Sequence, residues 1–290
     1  MVKSFFTLPP WIVLDSLLQS WLIEDIGRGD RTTSALFPTK TIQNTAKWTV
    51  KESGVIAGLP IAARVFHLLD SSVNFIPQVL DGEWCEKGKV IAEITGNFEA
   101  LLTGERVALN LAMRLSGIAT FTRKYVDKIA DLPVQLVDTR KTTPGLRILE
   151  KYATQVGGAR NHRMGLDDAV MIKDNHIAAA GGIGEAIASI RATIPYPLTI
   201  EVETETLAEV EIALKHEADI IMLDNMSLEL MSQAVKIIRQ HNNRIKIEAS
   251  GNITLETIRN IAETGVDYIS TSAPITRSTW LDISMKFVSC

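Results

Sequence analysis

The sequence predicts an α/β protein in two parts, the second of them an α/β barrel, complete or incomplete. Three observations carry that expectation. The chain has 290 residues, which at about 100–200 residues per domain suits two domains or one barrel with an extension. From about residue 134, short apolar runs alternate with helix-length amphipathic segments, the rhythm of parallel strands joined by right-handed crossovers. An open dinucleotide-binding sheet would carry G-x-G-x-x-G after its first strand, and neither that nor a P-loop is present.

The elements follow in order. Pro9-Pro10 starts a helix, because proline tolerates the first turn, and Ile12, Leu14, Leu17, Leu18 and Trp21 continue it on one face. The run E-D-I-G-R-G-D-R-T-T (24–33) breaks it with two glycines. Residues 46–52, 73–79 and 90–95 read as strands, and 60–69 as a helix. The span 82–96 has the turn–strand–turn rhythm of a barrel-sandwich hybrid, yet no lysine sits at a hairpin tip, which disfavours a carrier role. Residues 99–130 form a long helical stretch with a break expected near Ser116-Gly117. Strands then fall at 134–137, 169–172, 198–202, 220–223, 245–249 and 268–270. The intervening helices fall at 146–156, 184–192, 207–215, 228–240 and 255–263.

Composition narrows the class. At 46% hydrophobic and 22% charged the chain has material for a packed core. Two cysteines, Cys85 and Cys290, exclude a disulfide framework and a four-cysteine metal site, and Cys85 reads as a surface or turn residue. No stretch of 18 residues is free of charge and no signal-peptide order opens the chain, so a cytoplasmic protein without a membrane partner is expected. Net charge is −4, a poor match to nucleic acid. Residues 106–173 nevertheless hold 12 basic and six acidic side chains, so this segment is +6 and the remainder −10. That pattern suits either a small-polyanion site or a solvated face.

Every barrel strand ends in chemistry. The first ends at Asp138-Thr139-Arg140-Lys141 and the second at Lys173-Asp174-Asn175-His176. Glu201 and Glu203 lie on one face of the third, and the fourth ends at Asp224-Asn225. The fifth and sixth end at Ser250-Gly251-Asn252 and Thr271-Ser272-Ala273. Asp224 alone could be a helix cap, but six such ends on the face where barrels do chemistry mark a site. The late loops suit a phosphate held by backbone N–H groups, Glu203 and Asp224 a diol or metal ion, and the Arg/Lys group a second anion.

At this point the chain resembles a known family. D-T-R-K-T-T-P-G-L-R (138–147), G-G-A-R-N-H-R-M-G-L-D-D (157–168), I-K-D-N-H-I (172–177), E-V-E-T (201–204), M-L-D-N (222–225), E-A-S-G-N-I (248–253) and E-T-G-V-D-Y-I-S (263–270) are similar to quinolinate phosphoribosyltransferases. So are 24–33 and G-E-R-V-A-L-N (104–110). The resemblance implies an N-terminal α/β sandwich domain (1–116) and an open, seven-stranded α/β barrel (117–274), with the tail 275–290 packing back on the first domain. It implies joining of quinolinate to 5-phosphoribosyl pyrophosphate with Mg²⁺, giving nicotinate mononucleotide, pyrophosphate and CO₂ for NAD biosynthesis. By position, Thr139, Arg140, His162, Arg163 and Lys173 match quinolinate-binding residues, and Arg106 matches an arginine donated across a homodimer. Lys141, Lys173, Glu203 and Asp224 match catalytic residues. Lys141, Glu203 and Asp224 surround the ribose and pyrophosphate, and Glu203 and Asp224 the metal, directly or through water. Residues 250–252 and 271–273 match the 5′-phosphate loops.

The physics of these roles is coherent. A dianion in a water-poor pocket needs at least two cations. Loss of pyrophosphate leaves a cationic ribose that Glu203 or Asp224 would stabilise. His176 is expected to orient the Lys173 loop, since no zinc-type spacing surrounds it. Two departures stand out. The family's Ser-Gly-Gly is Ser250-Gly251-Asn252 here, and its Val-Gly-Ala is Thr271-Ser272-Ala273. Ser272 thus adds a side chain where backbone would approach phosphate.

Overall fold

The computed structural model describes residues 6–37 and 42–288. The chain divides into two compact units: 1–123 with 148–158 and 277–290, and 124–147 with 159–276.

The first unit opens with α1 (Trp11–Ile26), which follows Pro10 and buries Leu14, Leu18 and Leu22. A second helix, α2 (Arg31–Leu36), lies where the sequence suggested only a break. Asp30 caps it, its carboxylate accepting the Thr33 N–H at 3.0 Å. Strands β1 (Gln43–Val50) and β2 (Gly54–Val55) lead to α3 (Leu59–Leu69), followed by β3 (Asn74–Pro77), β4 (Trp84–Cys85) and β5 (Val90–Asn97). β1 alternates, turning Ala46, Trp48 and Val50 inward. Trp48 meets Phe66 of α3 and Phe75 of β3 edge-on, and this aromatic group centres the core. Asp81 caps α3 by accepting the Gly58 and Leu59 N–H groups.

The long helix α4 (Phe98–Lys128) runs unbroken through Ser116-Gly117. Both residues are there for contact. The Ser116 hydroxyl accepts the Ala57 N–H and donates to the Ala57 carbonyl. A Cβ on Gly117 would stand 1.9 Å from the Thr279 carbonyl oxygen. The last strand, β12 (Ile283–Phe287), pairs with β1, completing a four-stranded antiparallel sheet in the order β12-β1-β5-β3. Cys85 is buried in β4, not on a surface turn, and burial pushes its thiol up. Cys290 lies outside the described residues.

Helix α5 (Arg147–Val156), expected within the barrel, clusters from Ile148 onward with the first unit. The cause is a set of polar ties. Arg114 pairs at 2.7 Å with the fully buried Glu150, the Tyr152 hydroxyl donates to Asp81 at 2.7 Å, and Arg123 donates to the Gly157 carbonyl.

The first strand of the second unit is β6 (Gln135–Val137). The unit continues through β7 (Val170–Ile172), α6 (Asp174–Ala180), α7 (Ile183–Arg191), β8 (Ile200–Thr204), α8 (Leu207–Lys215), β9 (Ile220–Asp224) and α9 (Leu228–His241). It ends with β10 (Lys246–Ser250), α10 (Ile258–Ala262), β11 (Tyr268–Ser270) and α11 (Ala273–Thr276). The six strands are parallel in the order β6-β11-β10-β9-β8-β7, so the sheet opens between β6 and β7. Arg160 makes an isolated parallel bridge to Val137 beside β6, so among the described residues the sheet has six strands where the resemblance implied seven. Short α6 and α11 are additions to the helices expected from periodicity. Among the described residues no helix is long and apolar enough to cross a membrane.

Candidate active site

The parallel register brings the strand ends level. Ser250 lies beside Asp224, Glu203 beside Met222, Ile172 beside Val202 and Ser270 beside Val137. The residues that follow share one rim, the face on which α/β barrels do chemistry.

After β6 the Thr139 hydroxyl accepts the Lys141 N–H at 3.1 Å and the Arg140 carbonyl accepts the Thr142 N–H, a turn that leaves Lys141 exposed. Asp138 is 2% exposed, and its Oδ1 accepts the His162 N–H at 2.8 Å. The Arg160 backbone bonds to Leu136 and Asp138. Asp138 thus fastens the 160–163 segment to the end of β6.

That segment supplies Arg163, whose guanidinium donates to the Ala169 carbonyl at 3.0 Å. Burial and the neighbouring Arg140 hold its pKa below the ordinary arginine value, with Glu201 opposing. Two guanidinium groups in mutual repulsion gain by accepting a dianion.

His162 stands beside two buried acids. Its Nδ1 accepts the Arg163 N–H at 2.7 Å, and its Nε2 lies 3.1 Å from Glu201 and 3.5 Å from Glu248. Glu248, on β10, was given no role from sequence. The signal was an acid amid the apolar run Ile245, Ile247, Ala249 of a buried strand. Burial, then the Glu201 carboxylate, push its pKa up to about 7, against the pull of His162, Ser270 and Lys173.

Lys173 follows β7. Its N–H donates to His176 Nδ1 at 3.0 Å, the orienting part expected of that histidine. Its ammonium is ion-paired with Glu203. Asp224 ends the next strand and is not a helix cap. Ser227 caps α9, while Asp224 accepts from the Asn225 amide at 2.7 Å and stays half-buried. Glu203 and Asp224 therefore offer hard oxygen donors from adjacent strands, a set that suits Mg²⁺.

The loop after β10 is tightly specified. Gly251 has φ +95, and a Cβ there would meet Asn225 Oδ1 at 2.1 Å. Asn252 has φ 52 and donates to Asn225 Oδ1 at 3.1 Å. Asparagine is among the few residues that tolerate this left-handed conformation, which accounts for its standing where the family pattern has glycine. A cavity of about 260 Å³ borders this loop, lined also by Met231 of α9 and Asn260 of α10. After β11, Thr271 Oγ1 accepts the Ala273 N–H, and the Ser272 carbonyl accepts from Ile275 and Thr276 to open α11. The Ser272 side chain is half-buried at the strand end. Arg106 stands exposed on α4 in the first unit.

Comparison with known proteins converges on one family. Residues 30–116 match the quinolinate phosphoribosyl transferase N-terminal domain and residues 118–286 its C-terminal domain. A probable nicotinate-nucleotide pyrophosphorylase (carboxylating) of Synechocystis is 60% identical over 281 residues, covering 97% of this chain and 95% of that one. The mitochondrial quinolinate phosphoribosyltransferase (decarboxylating) 2a of Nicotiana tabacum is 41% identical, covering 96% and 83%. Among solved structures, NadC from Streptococcus pyogenes superposes with a TM-score of 0.92 at 43% identity, covering 98% of this chain and all of that one. With both domain models matched and relatives this close over nearly its full length, the chain belongs to the quinolinate phosphoribosyltransferase family.

Proposed function

We propose that the chain joins quinolinate to 5-phosphoribosyl pyrophosphate, releasing pyrophosphate and CO₂ and forming nicotinate mononucleotide for NAD biosynthesis. The observation that carries this reading is the concentration of charge on one barrel rim. Arg163 lies close to Arg140, Lys173 is ion-paired with Glu203, and Asp224 ends the strand beside that of Glu203.

In this reading Arg140, Arg163 and Lys173, with Thr139, hold the two carboxylates of the pyridine ring, and His162 keeps the Arg163 segment in place. Glu203 and Asp224 stabilise the positive charge that develops on the ribose as pyrophosphate leaves, and Lys141 receives the departing phosphates. The 250–252 and 271–273 loops hold the 5′-phosphate through backbone N–H groups, with the Ser272 hydroxyl as a further donor. Glu203 and Asp224 would also hold Mg²⁺, which when bound neutralises pyrophosphate charge and orients it. Attack by the ring nitrogen breaks the ribose–pyrophosphate bond. The nitrogen then bears a positive charge, which stabilises the carbanion left as the adjacent carboxylate departs as CO₂. A proton from solvent completes the ring. The protein's task is to position the ring and exclude water.

The reading includes a homodimer in which Arg106 reaches the partner's site, and a cytoplasmic setting, in keeping with the buried free thiol of Cys85. The test is quinolinate-dependent release of CO₂ with 5-phosphoribosyl pyrophosphate and Mg²⁺, with nicotinate in parallel. Stoichiometric CO₂ and nicotinate mononucleotide that require both substrates are expected. Folded protein that is inactive on quinolinate would overturn the assignment.

A further inference from the structure

We propose that Glu248 is a positioning residue for this reaction: it holds the one proton that lets two buried carboxyl groups share the Nε2–H of His162, and so keeps that ring and the Arg163 segment set beside the carboxylate-binding cations. The inference rests on the assignment of the Arg140–Arg163–Lys173 group to a dicarboxylate.

The argument begins with the ring. His162 Nδ1 accepts the Arg163 backbone N–H at 2.7 Å, so Nδ1 bears no hydrogen. The imidazole is therefore neutral, with its hydrogen on Nε2. That hydrogen faces Glu201 at 3.1 Å and Glu248 at 3.5 Å. One oxygen of each carboxyl group and the ring nitrogen lie within 4.8 Å of one another. Both glutamates are nearly closed to solvent, at 3% and 4% exposure. Among the described residues no hydrogen-bond partner reaches the second oxygen of either, Glu201 Oε1 or Glu248 Oε1.

One N–H cannot satisfy two buried carboxylates. Like charges this close in a dry site retain a proton between them. The imidazole is not its home, because a second ring hydrogen would confront the Arg163 N–H. The groups facing Glu248 decide between the acids. They are the His162 ring, Glu201 on β8, the Ser270 hydroxyl on β11 and, further off, Lys173 after β7. On β9 its register partner is the apolar Met222. Burial and the Glu201 carboxylate push the Glu248 carboxyl up, so Glu248 holds the proton.

A metal ion is the competing occupant, since one histidine and two glutamates are metal-ligand types. The ring excludes it in this arrangement: Nε2 carries hydrogen and has no lone pair for an ion. The functional consequence concerns charge. Ionising Glu248 adds one buried negative charge near the rim cations, and a dianionic ligand is opposed by one more.

The experiment uses the full chain, wild type and Glu248→Gln, with quinolinate binding followed by calorimetry from pH 6 to 8.5. Wild-type affinity is expected to fall about tenfold across this range, as one like charge within the site would cause. The E248Q variant, which cannot ionise, is expected to bind with no such fall. The same pH-dependent fall in E248Q overturns the proposal. In parallel, the ¹⁵N shifts of His162 in wild type are expected to show the neutral Nε2–H tautomer at pH 6–7. An Nδ1–H tautomer, an imidazolium, or a stoichiometric transition metal lost in E248Q overturns it without reference to any substrate. Should wild type bind no quinolinate at any pH, the dicarboxylate reading fails, and the tautomer alone then decides where the proton sits.

Discussion

Lys173 and Glu203, at the ends of two adjacent parallel strands, neutralise each other across the rim of the barrel. In the proposed reading, a substrate carboxylate that takes Lys173 would separate it from Glu203 and free Glu203 for the ribose side, coupling dicarboxylate binding to the anionic half of the site. Glu203→Gln is expected to tighten quinolinate binding several-fold by calorimetry while lowering turnover at least about 100-fold. Unchanged affinity would show that the ion pair does not compete with the substrate.

Arg106 and Arg140 belong to different compact units, and the proposed dimer shares its sites between subunits. Arg106→Ala and Arg140→Ala are each expected to be nearly inactive. Mixed under conditions of subunit exchange, they are expected to regain about a quarter of wild-type activity, because half of the dimers are mixed and each then contains one intact site. No recovery despite demonstrated exchange would refute shared sites.

Asp138 is buried and accepts the His162 backbone N–H. Its removal leaves that donor unpaired, so Asp138→Ala is expected to cost about 1–3 kcal/mol in denaturant unfolding. It is also expected to raise the KM for quinolinate more than that for 5-phosphoribosyl pyrophosphate. An equal effect on both would place the 160–163 segment outside the dicarboxylate pocket.

Gly251 and Asn252 have opposite tolerances. Gly251→Ala places a Cβ 2.1 Å from Asn225 Oδ1 at a left-handed φ, and is expected to lower stability by about 1–3 kcal/mol and to weaken phosphoribosyl binding. Asn252→Gly keeps the backbone conformation and is expected to stay within about 1 kcal/mol of wild type by thermal unfolding.

Glu248 sets a pH dependence of stability. Its folded-state pKa is raised, so the native chain holds a proton that the unfolded chain has released. Stability therefore falls as pH rises from the ordinary glutamate value near 4.5 to about 7, and is level above that. Glu248→Gln removes the penalty. It is expected to unfold at higher temperature than wild type at pH 8, by the equivalent of about 1–3 kcal/mol, with the gap narrowing at pH 5. A gap independent of pH would show that Glu248 holds no proton of this kind.

Much of the barrel was legible because its strands and helices have different periods, and its strand ends carry charge where strands should be bare. Helix 207–215 and strand 220–223 fall within a residue of the observed elements for that reason. What escaped the sequence depended on contacts distant along the chain. Ser116-Gly117 has the composition of a helix break, but the Ala57 backbone and Thr279 explain those two residues. Asp138 has the composition of a catalytic acid, yet it serves as an anchor for residue 162. Glu248 was missed because alternation marks a residue as inward-facing without naming what it faces. His162 and Glu201, 86 and 47 positions earlier, supply that answer.

The pairing of β12 with β1 joins residues 283–287 to 46–50. During synthesis the first unit would therefore wait, with the edge of β1 unpaired, while the whole parallel sheet emerges. Its inward Trp48 and Val50 can fold early against α3 and β5, but the hydrogen-bonding edge stays open until residues 283–287 have emerged. An open strand edge is a template for another chain. A nascent or truncated form of this protein thus carries its own aggregation hazard at residues 46–50, and the last strand acts as an internal cap that removes it.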